Sequence, residues 1–333
     1  MIMPKRYGIL YSGSKNKICE RIIDILPPAD NFYDLFAGGC AVTHRALLSG
    51  KYNNVIANDI NDMPLLFKDA IQGKYKDEDR WITREMFFDN LDNPYISSCW
   101  SFGGNMTSYI YSREITPYKK ALWYAVMFGE WNDFEKLMPE TLDRCKTALM
   151  NVTDKRERRT KLQNELSKYI KELDSLGDYS WKQHTLYKQI KTDKGGIQRS
   201  CLNSCTRLQQ LQSLQSLERL QQHLTILKSS YDEVVIKPNS VIYCDIPYIN
   251  TANAYNVKFD YEKFYSWCEN QSSPVFISEY NMPEDRFKCI KTIQVGRKCS
   301  STKFDICDEK VFVPNHQYQD FLTYKNKNNL LCR

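Results

Sequence analysis

Asp245-Ile246-Pro247-Tyr248 follows directly on the apolar run Ser240-Val241-Ile242-Tyr243-Cys244. An apolar run of this length reads as a buried strand. A strand that ends in an acid, a proline and an aromatic presents a carboxylate, a constrained carbonyl and a π-face at one sheet edge. Those groups suit an exocyclic amine on a flat base. The carboxylate and the carbonyl ahead of the proline accept from an NH2 group and turn its nitrogen lone pair toward an electrophile, while Tyr248 stacks on the ring. Four residues alone are better described as a strand end, a proline turn and a core tyrosine. The chemistry therefore depends on whether the chain also supplies an electrophile.

A second constellation lies near the N-terminus. Asn31-Phe32-Tyr33-Asp34-Leu35-Phe36 reads as a strand, runs into Ala37-Gly38-Gly39-Cys40-Ala41, and continues as a helix to about Ser49, closed by Gly50. A further strand, Asn54 to Asn58, ends at Asp59. In doubly wound sheets such glycines admit the backbone close to a ligand, and the second acid accepts from both ribose hydroxyls. The turn is not Gly-x-Gly-x-x-Gly and carries no P-loop lysine, which disfavours a dinucleotide or a nucleoside triphosphate. S-adenosylmethionine has a ribose and an adenine but no phosphate, and fits better.

The elements that must position these groups read as one interrupted α/β sheet. With 333 residues, 42% of them hydrophobic, the chain can bury a large core as one big α/β domain or two domains. The first sixty residues read as strand, helix, strand, helix, strand, the first helix covering Ile18 to Leu26 and stopping at Pro27-Pro28. Strands return at Thr225 to Leu227, Val241 to Cys244 and Val275 to Ser278, with a helix at Tyr261 to Asn270 and an antiparallel hairpin across Thr292 to Val313. The expected organisation is a catalytic domain, 1–73 and 225–333, interrupted by an inserted, mainly helical domain, 74–224. Within the insert, Cys99 to Ser112 suggests an exposed glycine-containing hairpin or loop, and Tyr118 to Phe128 and Asp154 to Leu176 suggest helices. Leucines recur at 208, 211, 214, 217, 220, 224 and 227. On an α-helix a spacing of three drifts by roughly 60° per step, so they are read as core packing, not as a coiled-coil seam.

The net charge of +6 is carried by Asn151 to Asp232, which holds 15 Lys and Arg against 9 Asp and Glu. That concentration suggests a polyanion-facing region, although Lys155 to Lys171 also reads as an ordinary solvated helix. The 12 cysteines form no CxxC pair, and Cys201 and Cys205 lack a partner pair, so reduced thiols are expected and no metal. No segment reads as a signal peptide or a membrane span, and a cytoplasmic location is expected.

On these motifs the chain resembles the bacterial and phage DNA adenine N6-methyltransferases of the D12 class, whose order is cofactor motif, target-recognition domain, tetrapeptide. Tyr11-Ser12-Gly13-Ser14-Lys15 resembles the family's aromatic-x-Gly-x-Lys segment, and Asn58-Asp59-Ile60-Asn61 its ribose-binding segment. Tyr255 and Phe259 resemble its aromatic pair near the cofactor, and Phe276-Ile277-Ser278-Glu279-Tyr280 its late strand. The resemblance implies a Rossmann-like, doubly wound S-adenosylmethionine-dependent methyltransferase sheet. It implies a cofactor site formed by Tyr11, Lys15, Asp34, Phe36, Gly38, Gly39, Asp59, Ile60, Asp245 and Phe259, with Lys15 toward the methionine carboxylate. Asp34 would orient the glycine turn or bind the methionine amino group, and Ile226 and Leu227 are read as core. Asp245, Ile246, Pro247 and Tyr248 would act on a flipped adenine. The partner would be double-stranded DNA, met by a monomer or weak dimer, with Asn105, Tyr109 and Arg113 toward bases and Lys119, Lys120, Arg199 and Arg207 on phosphates.

Two residues depart from the family. Ile246 stands where a first proline is usual, which leaves the amine-accepting carbonyl less rigid, and Cys40 stands where the turn usually has glycine, which it fits if its φ is negative. Transfer to cytosine N4 or to RNA adenine, and a weak or inactive DNA-binding decoy, are the alternatives.

Overall fold

In the computed structural model, which describes residues 6–11, 13–190, 203–248, 259–298 and 304–328, the apolar runs become seven strands. They are β1 (Ala29–Asp34), β2 (Tyr52–Asn58), β3 (Leu224–Leu227), β4 (Ser240–Asp245), β5 (Val275–Glu279), β6 (Phe287–Lys298) and β7 (Phe304–Pro314). The sheet order is β3-β2-β1-β4-β5-β7-β6. β1 to β5 run parallel, and β7 is antiparallel to both of its neighbours. Parallel strands are covered on both faces, which is why β4 and β5 are buried at nearly every position.

The helices are α1 (Cys19–Ile25), α2 (Ala41–Ser49), α3 (Met63–Ile71), α4 (Arg84–Asp89), α5 (Pro94–Cys99), α6 (Thr116–Met127), α7 (Asn132–Leu137), α8 (Leu142–Leu149), α9 (Lys155–Ser175), α10 (Thr185–Ile190), α11 (Asn203–Ser213), α12 (Tyr261–Glu269) and α13 (Tyr318–Lys327). The chain divides into two compact units, Met1–Lys74 with Leu214–Arg333, and Tyr75–Ser213. The first carries the sheet with α1 to α3, α12 and α13. The second carries α4 to α11.

The strand order reverses between β1 and β4, so a crevice opens outside their carboxyl ends. Asp34 ends β1 and Asp245 ends β4. Side-chain alternation then sorts β4. Ile242, Cys244 and Ile246 enter the core with Phe264, Tyr265 and Cys268 of α12, leaving Tyr243 and Asp245 on the other face.

The chain ahead of α1 departs from expectation. Residues 6–11 form no strand and instead cross the glycine turn, Ile9 N–H donating to the Gly39 carbonyl at 2.7 Å. A Cβ on Gly8 would stand 2.2 Å from that carbonyl oxygen, so only glycine lets the two segments touch. The leucine ladder also resolves differently. The α-helix ends at Ser213, and Leu214–His223 is a 3-10 helix. With three residues per turn, a spacing of three stacks Leu214, Leu217 and Leu220 along one edge instead of winding them around. Leu214 and Leu217 are buried there.

Cys40 has φ +58°, not the negative φ expected for it, and it precedes α2 as its N-cap. A left-handed residue with a Cβ costs roughly 1–2 kcal/mol, and Cys40 is fully buried. Cys40→Gly therefore removes strain while losing a packed sulfur, and is expected to change stability by no more than about 1 kcal/mol. Cys40→Val puts a β-branched residue at the same φ and should destabilise by more; paired thermal or denaturant melts rank the two, and the reverse ranking would show that packing outweighs φ.

Candidate active site

The glycine turn is held from below by Asp34. This carboxylate is 1% exposed, and its Oδ2 accepts from the Thr43 backbone N–H at 3.1 Å and the Thr43 hydroxyl at 2.6 Å. Thr43 is the third residue of α2, so Asp34 does from β1 what Cys40, as N-cap, does not do with its own side chain. Asp34 thus orients the turn through Thr43 and is almost fully enclosed. Asp59, after β2, takes the Gly38 N–H on Oδ2 at 2.7 Å and the Asn61 side chain on Oδ1 at 2.7 Å. Burial raises its pKa, and the N–H donors of Gly38, Asn61 and Ile60 oppose the rise.

Gly38 and Gly39 lie beneath Tyr11. A Cβ on Gly38 would meet the Tyr11 ring at 2.9 Å, and one on Gly39 would meet the Ile9 carbonyl at 2.5 Å. Tyr11 Oη in turn accepts from Asn61 Nδ2 at 3.3 Å. Ile60 is 61% exposed beside Asp59. Phe36 is half-buried in an aromatic cluster with Tyr231, Phe259 and Phe264.

Lys15 is not a solvated surface lysine. It is 6% exposed, and its Nζ lies 2.7 Å from Asp245 Oδ1 and 4.7 Å from the centre of the Tyr248 ring. Burial pushes Asp245 up to about 6, and the Lys15 charge and hydrogen bond pull against it. Tyr248 is buried, with its ring edge against Tyr280 at 4.6 Å and its hydroxyl donating to Glu309 Oε2 at 2.5 Å. Burial, then the charges of Asp245 and Glu309, drive its pKa far above the usual phenol range.

Ile246 is 2% exposed in the core cluster, and the next carbonyl, of Pro247, accepts from the Tyr261 hydroxyl at 2.8 Å. The segment is therefore pinned by packing of the Ile246 side chain and by a hydrogen bond to the following carbonyl. Ile226 and Leu227 are half-buried at the end of β3.

The second unit holds the residues expected to meet DNA, and it sorts them. Phe102 to Ser108 forms a tip above the Ser101–Tyr109 bridge, closed by the Asn105 side chain accepting from the Thr107 and Ser108 N–H groups at 3.1 and 3.0 Å. Asn105, Arg113 and Lys120 are exposed. Tyr109, Lys119 and Arg207 are corrections, since all three are buried. Tyr109 Oη donates to the Ile82 carbonyl at 2.8 Å, Lys119 lies over the Tyr111 ring at 5.9 Å, and Arg207 donates to the carbonyls of Ser98, Cys99 and Ser101. They build the base of the tip and do not form its surface. Arg199, like Tyr255 and Ser12, lies outside the described residues.

The basic segment is likewise partly consumed. Arg156 donates to the Gln209 carbonyl, Arg158 to the carbonyls of Ala125 and Val126 at the end of α6, and Arg159 to Thr206 Oγ1. Among the described residues no group of three His, Cys, Asp or Glu is placed to hold a metal, and no helix is long and apolar enough to cross a membrane.

A family model for D12 class N6 adenine-specific DNA methyltransferases matches residues 11–193, more than half of the chain. The chain belongs to that family. Its mixed seven-stranded sheet with flanking helices is the α/β architecture of such methyltransferases. No curated protein matches the chain. The family match ends before the tetrapeptide, so Asp245 to Tyr248 are placed by the strand order and the switch point alone. Tyr261, Glu309, Tyr280 and Phe102 were given no site role from the sequence. Of these, Glu309 had a signal: it alternates in phase with the buried Val311 and Val313 of β7.

Asp34 yields a test of this methyltransferase's electrostatics. Burial raises its pKa to about 7, opposed by Thr43 and reinforced by Asp245. The folded state therefore takes up the proton first, so this stabilisation is complete below about 4 and is lost as pH rises through about 7. Asp34→Asn never ionises and keeps an acceptor for Thr43. Its melting temperature relative to wild type should rise between pH 5 and pH 8; a relative fall would mean that the ionised carboxylate stabilises the fold.

Proposed function

We propose that this chain transfers a methyl group from S-adenosylmethionine to the N6 amine of an adenine flipped out of duplex DNA. The observation that carries it is the convergence, at the carboxyl end of β4, of the Asp245 carboxylate, a pinned Ile246-Pro247 backbone and a Tyr248 ring whose face already receives a cation.

The residues of the β1–β2 side suit the cofactor. Asp59 offers a half-buried carboxylate for a diol, the exposed Ile60 and the half-buried Phe36 and Phe259 offer apolar surface for an adenine, and the glycine turn offers no cradle for phosphate. Tyr11, Gly38 and Gly39 shape the floor, and Lys15 is the cation available to a carboxylate. When bound, S-adenosylmethionine supplies the methyl as an electrophile on a sulfonium. The protein's part is positioning. Asp245 and the Ile246 carbonyl accept from N6, directing its lone pair, and Tyr248 stacks on the purine, a contact worth about 1–3 kcal/mol. Asp245 must be ionised to accept both ways, and its raised pKa suits it to receive the proton N6 loses after methylation.

The unit 75–213 is the target-recognition part of this proposal. Phe102, 67% exposed at the tip, is a wedge or stacking group for a base, Asn105 and Arg113 are candidates for base edges, and Lys120 for phosphate.

Protein incubated with labelled S-adenosylmethionine and unmethylated duplex DNA should form N6-methyladenine, and Asp245→Ala should slow it on the order of a hundredfold or more. Label recovered as N4-methylcytosine would reassign the base, label on RNA alone would reassign the substrate, and binding without transfer would leave a decoy. For DNA binding, Arg113→Gln with Lys120→Gln should flatten the slope of log affinity against log salt by about 2. Phe102→Ala should weaken binding with the slope unchanged; an unchanged affinity would remove the tip from the interface.

A further inference from the structure

We propose that Glu309 is a positioning residue for methyl transfer, locking the Tyr248 ring in the plane on which the target base stacks. The assignment rests on the adenine-methylation reading above and extends it to a strand remote in sequence from every motif.

Strand register brings Glu309 to the site. Asp245 pairs with Ser278, and Ser278 pairs with Val311. Because β7 is antiparallel, its residues before Val311 run out past the carboxyl edge of β4 and β5, where the switch-point crevice lies. Side chains alternate, so Glu309 shares a face with Val311 and Val313, while Phe312 enters the core cluster on the opposite face with Ile242 and Cys244. Asp245 is on the Glu309 side. The acid is thus aimed at the tetrapeptide by the same two-residue period that buries its neighbours.

The Tyr248 hydroxyl interacts with Asp245 inside the tetrapeptide and with Glu309 outside it. Tyr248 Oη donates to Glu309 Oε2 at 2.5 Å, a charge-assisted bond of the shorter, stronger kind. The Tyr280 ring closes one edge, and Lys15 stands over the face. A tyrosine that only filled the core would need an acceptor, but a backbone carbonyl or water would serve as well. A carboxylate also makes the phenol ring richer in electrons, which strengthens its attraction for a cation over its face. An adenine that has accepted a methyl at N6 carries positive charge until it loses a proton. Glu309 thereby fixes the ring's orientation and favours the charged stage of the reaction without touching the substrate.

The test is a double-mutant cycle in the full chain with Glu309→Ala, Tyr248→Phe and the pair, together with Glu309→Gln, which still accepts from the hydroxyl. Each protein is melted without DNA and assayed for transfer to unmethylated genomic DNA. Glu309→Ala should lower kcat about tenfold and leave the KM for S-adenosylmethionine unchanged. Glu309→Gln, which keeps the acceptor and loses the charge, should recover part of that loss, and adding Glu309→Ala to Tyr248→Phe should lower neither melting temperature nor rate further. Melting shifts that simply add would overturn the assignment whatever the transfer assay shows, as would Glu309→Gln falling as far as Glu309→Ala. Absence of any transfer by the wild type would instead overturn the methylation reading.

Discussion

The Lys15–Asp245 ion pair is the constraint around which the rest of this structure is arranged. Lys15 is buried and Asp245 partly so, and opposite charges taken out of water are costly unless each holds the other. The pair forms only because a segment from the N-terminus and the end of β4 meet at the crevice. Gly8 against the Gly39 carbonyl and Tyr11 over Gly38 bring the first. The parallel register of β1 with β4 brings the second. Asp34 then holds the turn between them through Thr43. The same ammonium lies over the Tyr248 ring, so one side chain joins the N-terminal segment to both the acid and the aromatic end of the tetrapeptide.

Charge works differently in the second unit. A count of lysines and arginines treats them as equally available to a polyanion, but guanidinium groups are often the internal glue of helical proteins. Arg158 satisfies carbonyls at the end of α6 that have no partner within the helix, and Arg207 binds the Ser98, Cys99 and Ser101 carbonyls where α5 ends beneath the Phe102 tip. These arginines build the shape of the unit, and Arg113 and Lys120 at its surface supply the charge a phosphate could meet.

How much was legible in the sequence follows from which interactions are local. The strands, α2 and α9 are written in periodicity, capping and turn residues: Asp154 caps α9 through the Glu157 N–H, and Gly50 closes α2 at positive φ. The acids at the ends of β1, β2 and β4 follow from the doubly wound pattern. What escaped was decided by tertiary packing or by a change of helix type. The leucine spacing made sense only once the chain switched to three residues per turn at Leu214. The burial of Tyr109, Lys119 and Arg207 depends on neighbours such as Ile82, Tyr111 and the Ser98–Ser101 carbonyls. Glu309 and Tyr261 reach the tetrapeptide across 61 and 14 positions of sequence, and neither pairing leaves a local pattern.

Ile246 shows why a departure from a family pattern must be weighed in three dimensions. Proline restricts a backbone by covalent geometry, and isoleucine gives that up. Here the side chain of Ile246 is buried in the same cluster as Ile242, Cys244 and α12, a β-branched residue with few rotamers in a close-packed site. Pro247 still biases Ile246 toward an extended backbone, and the Tyr261 hydroxyl holds the following carbonyl. Packing and a hydrogen bond thus restrict the peptide that a first proline ring would have restricted. The constraint has moved from one residue to its surroundings, so the rigidity of the Ile246 carbonyl is set by α12 as much as by the tetrapeptide itself.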